Sequence, residues 1–166
     1  MKLKKNSKIF IAGHNGMVGS AILRHFKKKN YKKIITKNKN ELNLLDQQKT
    51  HNFLKKIKPD FVIIAAAKVG GIFANQTYKA NFIYENLMIQ SNLINASYLS
   101  GVKKLIFLGS SCIYPKYSKQ PIKEEYLLSG KLEPTNDAYA IAKIAGIKMC
   151  ESYNQQYKLN YICLMP

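Results

Sequence analysis

The chain has 166 residues, 46% hydrophobic and 22% charged, a globular composition with enough apolar material for one domain and its core. No apolar run approaches the roughly 18 residues that span a bilayer, which excludes a membrane-crossing helix at the level of sequence. The formal charge of +18 invites a nucleic-acid partner, yet Arg24 is the sole arginine among 27 cationic residues, and Asn and Ile are abundant beside the lysines. Nucleic-acid readers favour arginine for bidentate contacts, so codon composition is the better source of this charge. No nucleic acid and no membrane are expected as partners, and a basic nucleic-acid-binding protein stays as an alternative.

After the basic run Met1-Lys2-Leu3-Lys4-Lys5-Asn6, the segment Lys8–Ala12 reads as a buried strand that stops at Gly13. Met17–Lys29 reads as a helix with Met17, Ala21, Leu23 and Phe26 near one face and lysines at its negative end. Lys33–Thr36 is a second strand. Asp46 is an N-cap candidate for a helix bearing Phe53, Leu54 and Ile57, closed by Pro59. Asp60–Ala65 is a third strand, apolar throughout and so covered on both faces. A long helix over Tyr78–Ser100 precedes a fourth strand, Lys104–Gly109. The polar stretch Ser110–Asp137 follows, of a length that in compact domains is usually functional. Ala138–Tyr157 reads as a helix and Asn160–Leu164 as a fifth strand of central type, after which further elements are expected.

Strand and helix alternate throughout, which predicts an α/β fold: a Rossmann-type, doubly wound parallel sheet of order 3-2-1-4-5. Cys112, Cys150 and Cys163 form no CxxC pair, and no secretory signal precedes them. Reduced thiols in a cytoplasm are therefore expected, with Cys150 and Cys163 in the core. His14, His25 and His51 have no metal-ligand spacing, so no metal is expected.

Gly13-His14-Asn15-Gly16-Met17-Val18-Gly19 lies between the first strand and the first helix. There, glycine permits a tight turn and lets backbone N–H groups approach a pyrophosphate at a helix N-terminus. A free adenosine ribose would call for Asp or Glu at the end of the second strand, roughly 20 residues on. Thr36-Lys37-Asn38-Lys39 stands there instead, and its two ammonium groups suit a 2′-phosphate, hence NADP(H). Asn43 and Leu44 are placed to edge an adenine pocket.

Tyr139 and Lys143 fall at i and i+4 on one helical face. A phenol near pKa 10 handles protons poorly at neutral pH until a cation stabilises its anion. Lys143 is the candidate for that task and for reaching the nicotinamide ribose. Leu108, Gly109, Ser110 and Ser111 lie where the fourth strand ends, at the carboxyl edge where such sheets bind ligands. The Ser110 hydroxyl is the candidate donor to a substrate carbonyl. By spacing alone Cys112 reads as a small buried hydrophobe.

Taken with Glu41-Leu42-Asn43-Leu44-Leu45-Asp46, Ala65-Ala66-Ala67-Lys68-Val69-Gly70-Gly71, Leu108 to Pro115 and Tyr139 to Gly146, these residues carry a likeness. From Lys8 to Pro166 the chain resembles the extended short-chain dehydrogenase/reductases of the epimerase/dehydratase type, and within them the GDP-L-fucose synthases. The resemblance implies C3 and C5 epimerisation of GDP-4-keto-6-deoxy-mannose and C4 reduction with NADPH. It also implies that Ser110 and Tyr139 bind the keto oxygen and that Cys112 is an acid/base at the epimerised carbons. Asn15 departs from the arginine often found beside the 2′-phosphate, which leaves that contact to Lys39. The family chain continues further, into a catalytic histidine and a substrate domain. Residues 1–166 therefore resemble the NADP-binding half, without the C-terminal strands and substrate domain. No motif puts His14, His25 or His51 in that histidine's place. The long helices match those through which the family dimerises, so a homodimer is open. Two alternatives also stay open: an inactive cofactor-binding remnant, or another nucleotide-sugar epimerase or dehydratase.

Overall fold

In the computed structural model, which describes residues 3–166, the elements run β1 (Lys8–Ala12), α1 (Met17–Lys28), β2 (Lys33–Lys37), α2 (Gln47–Ile57), β3 (Phe61–Ile64), α3 (Ile72–Thr77), α4 (Lys79–Leu99), β4 (Lys104–Leu108), α5 (Asp137–Tyr157) and β5 (Tyr161–Leu164). Met1 and Lys2 of the basic leading run lie outside the described residues. The strands form one five-stranded parallel sheet. Among the described residues no helix is long and apolar enough to cross a membrane.

The strand order is 2-1-3-4-5, which corrects the expected 3-2-1-4-5. β3 pairs with β1 on the side away from β2, Val62 opposite Phe10. All four β3 residues are buried, as a central strand requires, whereas the expected order would have left β3 with an open edge. The turns between Asn38 and Asp46 supply no further strand, so β2 remains the outer one.

Right-handed crossovers then set the layers. The steps β2→β3, β3→β4 and β4→β5 run the same way across the sheet, and their helices α2, α4 and α5 share one face. Phe10, Leu54, Val62, Ile64, Leu93, Leu105, Phe107 and Ile147 form the main core there. β1→β2 steps the other way and puts α1 on the opposite face, over Ile9, Ile11, Phe61 and Ile63.

The side of α1 that packs is Gly19, Ile22, Leu23 and Phe26. Met17 and Ala21 are exposed, which corrects their grouping with Leu23 and Phe26 near one face. Sequence reading also passed over α3, a six-residue helix opened at Gly71. Asp46 caps α2 as expected, accepting from the Lys49 N–H at 2.9 Å. Cys150 is buried, and Cys163 packs against the same core.

Candidate functional site

A cleft of about 620 Å³ opens along the carboxyl ends of β1, β3 and β4, the edge where a doubly wound sheet binds ligands. Its floor is the turn after β1. Gly13 has φ +85°, and a Cβ there would lie 2.4 Å from the Ala66 backbone nitrogen. A Cβ on Gly19 would lie 2.1 Å from the Gly13 carbonyl oxygen, so this glycine lets the helix sit against the turn. Gly19 therefore shapes the cleft from beneath and does not line it, unlike Gly13, His14, Asn15, Gly16, Met17 and Val18. α1 starts at the cleft with no side-chain cap and no acidic residue in its first turn, which leaves its positive end to an anion.

The loop after β2 is held by reciprocal bonds. Asn38 Oδ1 accepts from the Asn40 and Glu41 N–H groups, each at 3.0 Å, and Glu41 Oε2 accepts from the Asn38 N–H at 3.0 Å. Glu41 Oε1 takes the Lys37 ammonium at 2.7 Å, and this bond holds the carboxyl below its ordinary pKa. Lys37 is thus committed to Glu41, which corrects the pairing of two free ammonium groups for a phosphate. Lys39 has no acidic partner among the described residues and lines the cleft. Asn43 and Leu44 line it as well, and the buried Asn92 donates to the Leu44 carbonyl at 2.8 Å and the Leu45 carbonyl at 3.3 Å.

At the other end, α5 is seated by Asp137. Its carboxylate takes Lys79 at 2.9 Å and the Ala138 N–H at 2.7 Å, and Lys79 also donates to the Pro134 carbonyl. Nearly two turns on, Lys143 is 3% exposed and donates to the Leu108 carbonyl at 2.8 Å, tying α5 to the end of β4. A Cβ on Gly146 would lie 2.5 Å from the Phe107 ring, so glycine permits this close helix–sheet approach. Burial lowers the Lys143 ammonium to a pKa of about 8.

Leu108, Gly109, Ser110, Tyr139 and Lys143 all reach the cleft. Burial raises the Tyr139 phenol and Cys112 adds to the rise, while the Ser110 hydroxyl opposes both. The Lys143 ammonium lies 5.7 Å from the Tyr139 ring centre. The phenol is therefore protonated at neutral pH, in the form that donates a proton.

Ser111 and Cys112 do not line the cleft and sit in a 3₁₀ turn over Ser111–Ile113 directly after Ser110. The half-buried Cys112 donates to Ser110 Oγ at 3.2 Å, and burial raises its pKa. His14 lines the cleft, while His25 lies on α1 and His51 on α2, both away from it.

Sequence reading passed over the wall Ala65–Val69 and its supports as parts of the cleft. Asn86 is 2% exposed and brackets Lys68, accepting from its N–H at 2.9 Å and donating to its carbonyl at 3.0 Å. Lys68 pairs with Glu85 at 3.2 Å inside the cleft. Of the lining lysines, Lys37 is paired with Glu41 and Lys68 with Glu85, which leaves Lys39 and Lys143 without an acidic partner among the described residues, a balance that suits an anion. The open helix end, the cradle that a Cβ would fill and the cleft's size all fit a dinucleotide.

The family model for the NAD dependent epimerase/dehydratase family matches residues 9–166. The chain is 57% identical over 159 residues to GDP-L-fucose synthase of Escherichia coli strain K12, covering 96% of this chain and 50% of that protein. It is similar to the solved GDP-mannoheptose C4 reductase of Campylobacter jejuni with NADP bound, at TM-score 0.96 and 46% identity, covering 99% of this chain and 52% of that one. A GDP-L-fucose synthetase from Naegleria fowleri bound to NADP superposes at TM-score 0.87 and 30% identity, covering 99% and 54%. The chain spans about half the length of these relatives. With its glycine turn, its Tyr139–Lys143 helix and a family match from the first strand onward, the chain belongs to the NAD dependent epimerase/dehydratase family.

Proposed function

We propose that the chain is the NADP(H)-binding and C4-reducing part of a GDP-L-fucose synthase-type epimerase–reductase acting on GDP-4-keto-6-deoxy-mannose in the cytoplasm. The observation that carries this reading is the meeting of Ser110, Tyr139 and Lys143 at the cleft that the glycine turn opens. High identity to the E. coli synthase supports the substrate class.

When bound, the cofactor supplies a hydride to C4 of the sugar. Ser110 and Tyr139 hold the C4 keto oxygen, and Tyr139 gives it a proton as the electron pair of the carbonyl moves to oxygen. The product is the C4 alcohol, and solvent restores the phenol. Lys143, close by and charged below about pH 8, favours the phenolate formed in that step and anchors the nicotinamide ribose. Lys39 takes the 2′-phosphate. The α1 end with Gly13 and Gly16 takes the pyrophosphate, and Asn43 and Leu44 edge the adenine.

Epimerisation needs a proton removed next to the keto group and another returned from the opposite side. Cys112, held as a thiol by burial, is suited to the second task. The base comes from the part of the enzyme that the relatives have in addition. Pairing of α4 and α5 with a second copy is the expected assembly.

The test is a chimaera in which residues 1–166 replace the matched half of the E. coli synthase. It should oxidise NADPH and yield GDP-L-fucose, and Tyr139→Phe should cost about 10²-fold or more in reduction. A correctly folded chimaera without turnover overturns the reading. A second reading, C4 reduction without epimerisation, is favoured by the C. jejuni reductase and by the position of Cys112 off the cleft wall. Deuterium from heavy water at C3 and C5 of the product distinguishes the two.

A further inference from the structure

The packing of α5 on β5 brings together two thiols that the proposed chemistry does not use. α5 runs antiparallel to β5, as a crossover between parallel strands requires. Asn154 ties the two elements: its Oδ1 accepts from the Tyr161 N–H and its Nδ2 donates to the Tyr161 carbonyl, each at 2.8 Å. One turn back along α5 covers about 6 Å, and two residues forward along β5 cover about 6.6 Å. Those steps lead from Asn154 to Cys150 and from Tyr161 to Cys163, so the register sets the two cysteines against each other.

The core packing agrees with that register. Cys150 is buried in the main core, and Cys163 packs against the same cluster. Gly146, one turn before Cys150, lets α5 come down on the Phe107 ring, and Phe107 is the β4 residue in register with Cys163. Both cysteines are free thiols, joined by a side-chain hydrogen bond. That bond raises the Cys150 thiol and lowers Cys163, while burial adds to the first shift and opposes the second. Cys163 is therefore the readier thiolate of the two. Cys112 stands apart, bonded to Ser110.

We propose that Cys150 and Cys163 are a reversible oxidation site, in which a peroxide converts the two thiols to a disulfide that staples α5 to β5. In the first step the Cys163 sulfur attacks a peroxide oxygen. The O–O bond breaks, and one water leaves with the thiol proton, giving a sulfenic acid. The Cys150 sulfur then attacks the oxidised sulfur. The S–O bond breaks, and a second water leaves with the Cys150 proton. Two thiols are oxidised and one hydrogen peroxide is reduced to two waters, and a dithiol reductant reverses the change. α5 carries Tyr139 and Lys143, so the staple fixes the C-terminal half of the helix whose middle is held by the Lys143–Leu108 bond. The inference rests on the α5–β5 packing and not on the proposed chemistry.

The experiment treats the reduced 166-residue chain with hydrogen peroxide, blocks remaining thiols with iodoacetamide, and reads intact and peptide masses. The expected product is a monomer lighter by two hydrogens, about 2 Da, with the Cys150 and Cys163 peptides linked and then separated by dithiothreitol. It should keep the circular dichroism of the reduced chain and melt about 5 °C or more higher, because the cross-link restricts the unfolded chain. Cys150→Ala and Cys163→Ala should each abolish the linked peptide, and Cys112→Ser should leave it. A folded chain whose thiols gain oxygen without linking overturns the proposal. So does a link through Cys112, a link between two copies, or one that forms only once the chain is unfolded. Because the readout is covalent mass, loss of NADPH binding or turnover counts against the proposed function and leaves this site standing.

Discussion

The two ends of the cleft are built on different principles. At the adenosine end almost every contribution is backbone, held by bonds made within the chain: the Gly13–Gly19 turn, the Asn38–Glu41 box, and the Leu44 and Leu45 carbonyls on Asn92. At the reaction end the contributions are titratable side chains whose pKa values burial has moved, Lys143 down and Tyr139 and Cys112 up. On the proposed function, the first end is preorganised by geometry for binding. The second is a pair of buried titratable groups whose pKa values a bound ligand's charge and the exclusion of water would move further.

If that contrast holds, substitutions at the two ends should fail in different ways. The largest effect belongs to Gly19→Val. A Cβ there meets a backbone oxygen that has nowhere to retreat, so the turn must open. NADPH affinity should drop by about 100-fold or more, read by fluorescence titration, with a lower melting temperature. Retained affinity would mean that the turn is not the pyrophosphate site.

Lys143→Met should act on chemistry and pH rather than on binding of the adenosine. The folded pKa of about 8 lies below the ordinary 10.5, so the unfolded chain holds the extra proton between these values. Stability from this group therefore rises with pH across that window, relieving roughly 3 kcal/mol of unfavourable burial at most. Denaturant melts from pH 7 to 10 should show the unsubstituted chain gaining on Lys143→Met as pH rises. A constant difference would mean that the lysine is not desolvated. In the chimaera the same substitution should lower the reduction rate far more than NADPH affinity.

Asn92→Ala should have a smaller effect. It strips two carbonyls of their donor, costs about 1–3 kcal/mol of stability, and loosens the adenine edge by a few-fold in affinity. An unchanged affinity would show that water replaces the amide without loss.

The distribution of sequence signals explains what could be read in advance. Strands announced themselves because Phe61–Ile64 and Lys104–Leu108 are apolar runs between turns, and each lay within a residue or two of its expected bounds. Their order did not, because β-pairing leaves no local mark, although the uniform burial expected of Asp60–Ala65 already favoured a central place. The inner side of α1 was half misread: at about 100° per residue Met17 and Ala21 fall on the far side of the helix from Leu23 and Phe26, and they face outward. At the site, glycine, tyrosine and lysine carry recognisable spacings. The supporting amides Asn86 and Asn92 do not, since an amide on a helix ordinarily marks solvent. A usable signal was present in α4: Phe82, Asn86, Gln90, Leu93 and Ser97 recur at three- and four-residue steps, and all are buried. Amides on such a stripe point to backbone that needs partners.

The central claim, that this chain alone forms an NADP(H) site with Lys39 at the 2′-phosphate, is tested most directly by titrating NADPH and NADH into the 166-residue chain and its Lys39→Ala variant. The account predicts NADPH binding about tenfold or more tighter than NADH, with the preference erased in the variant and NADH affinity unchanged. Equal affinities in the unsubstituted chain, tighter NADH, or no binding of either would contradict it.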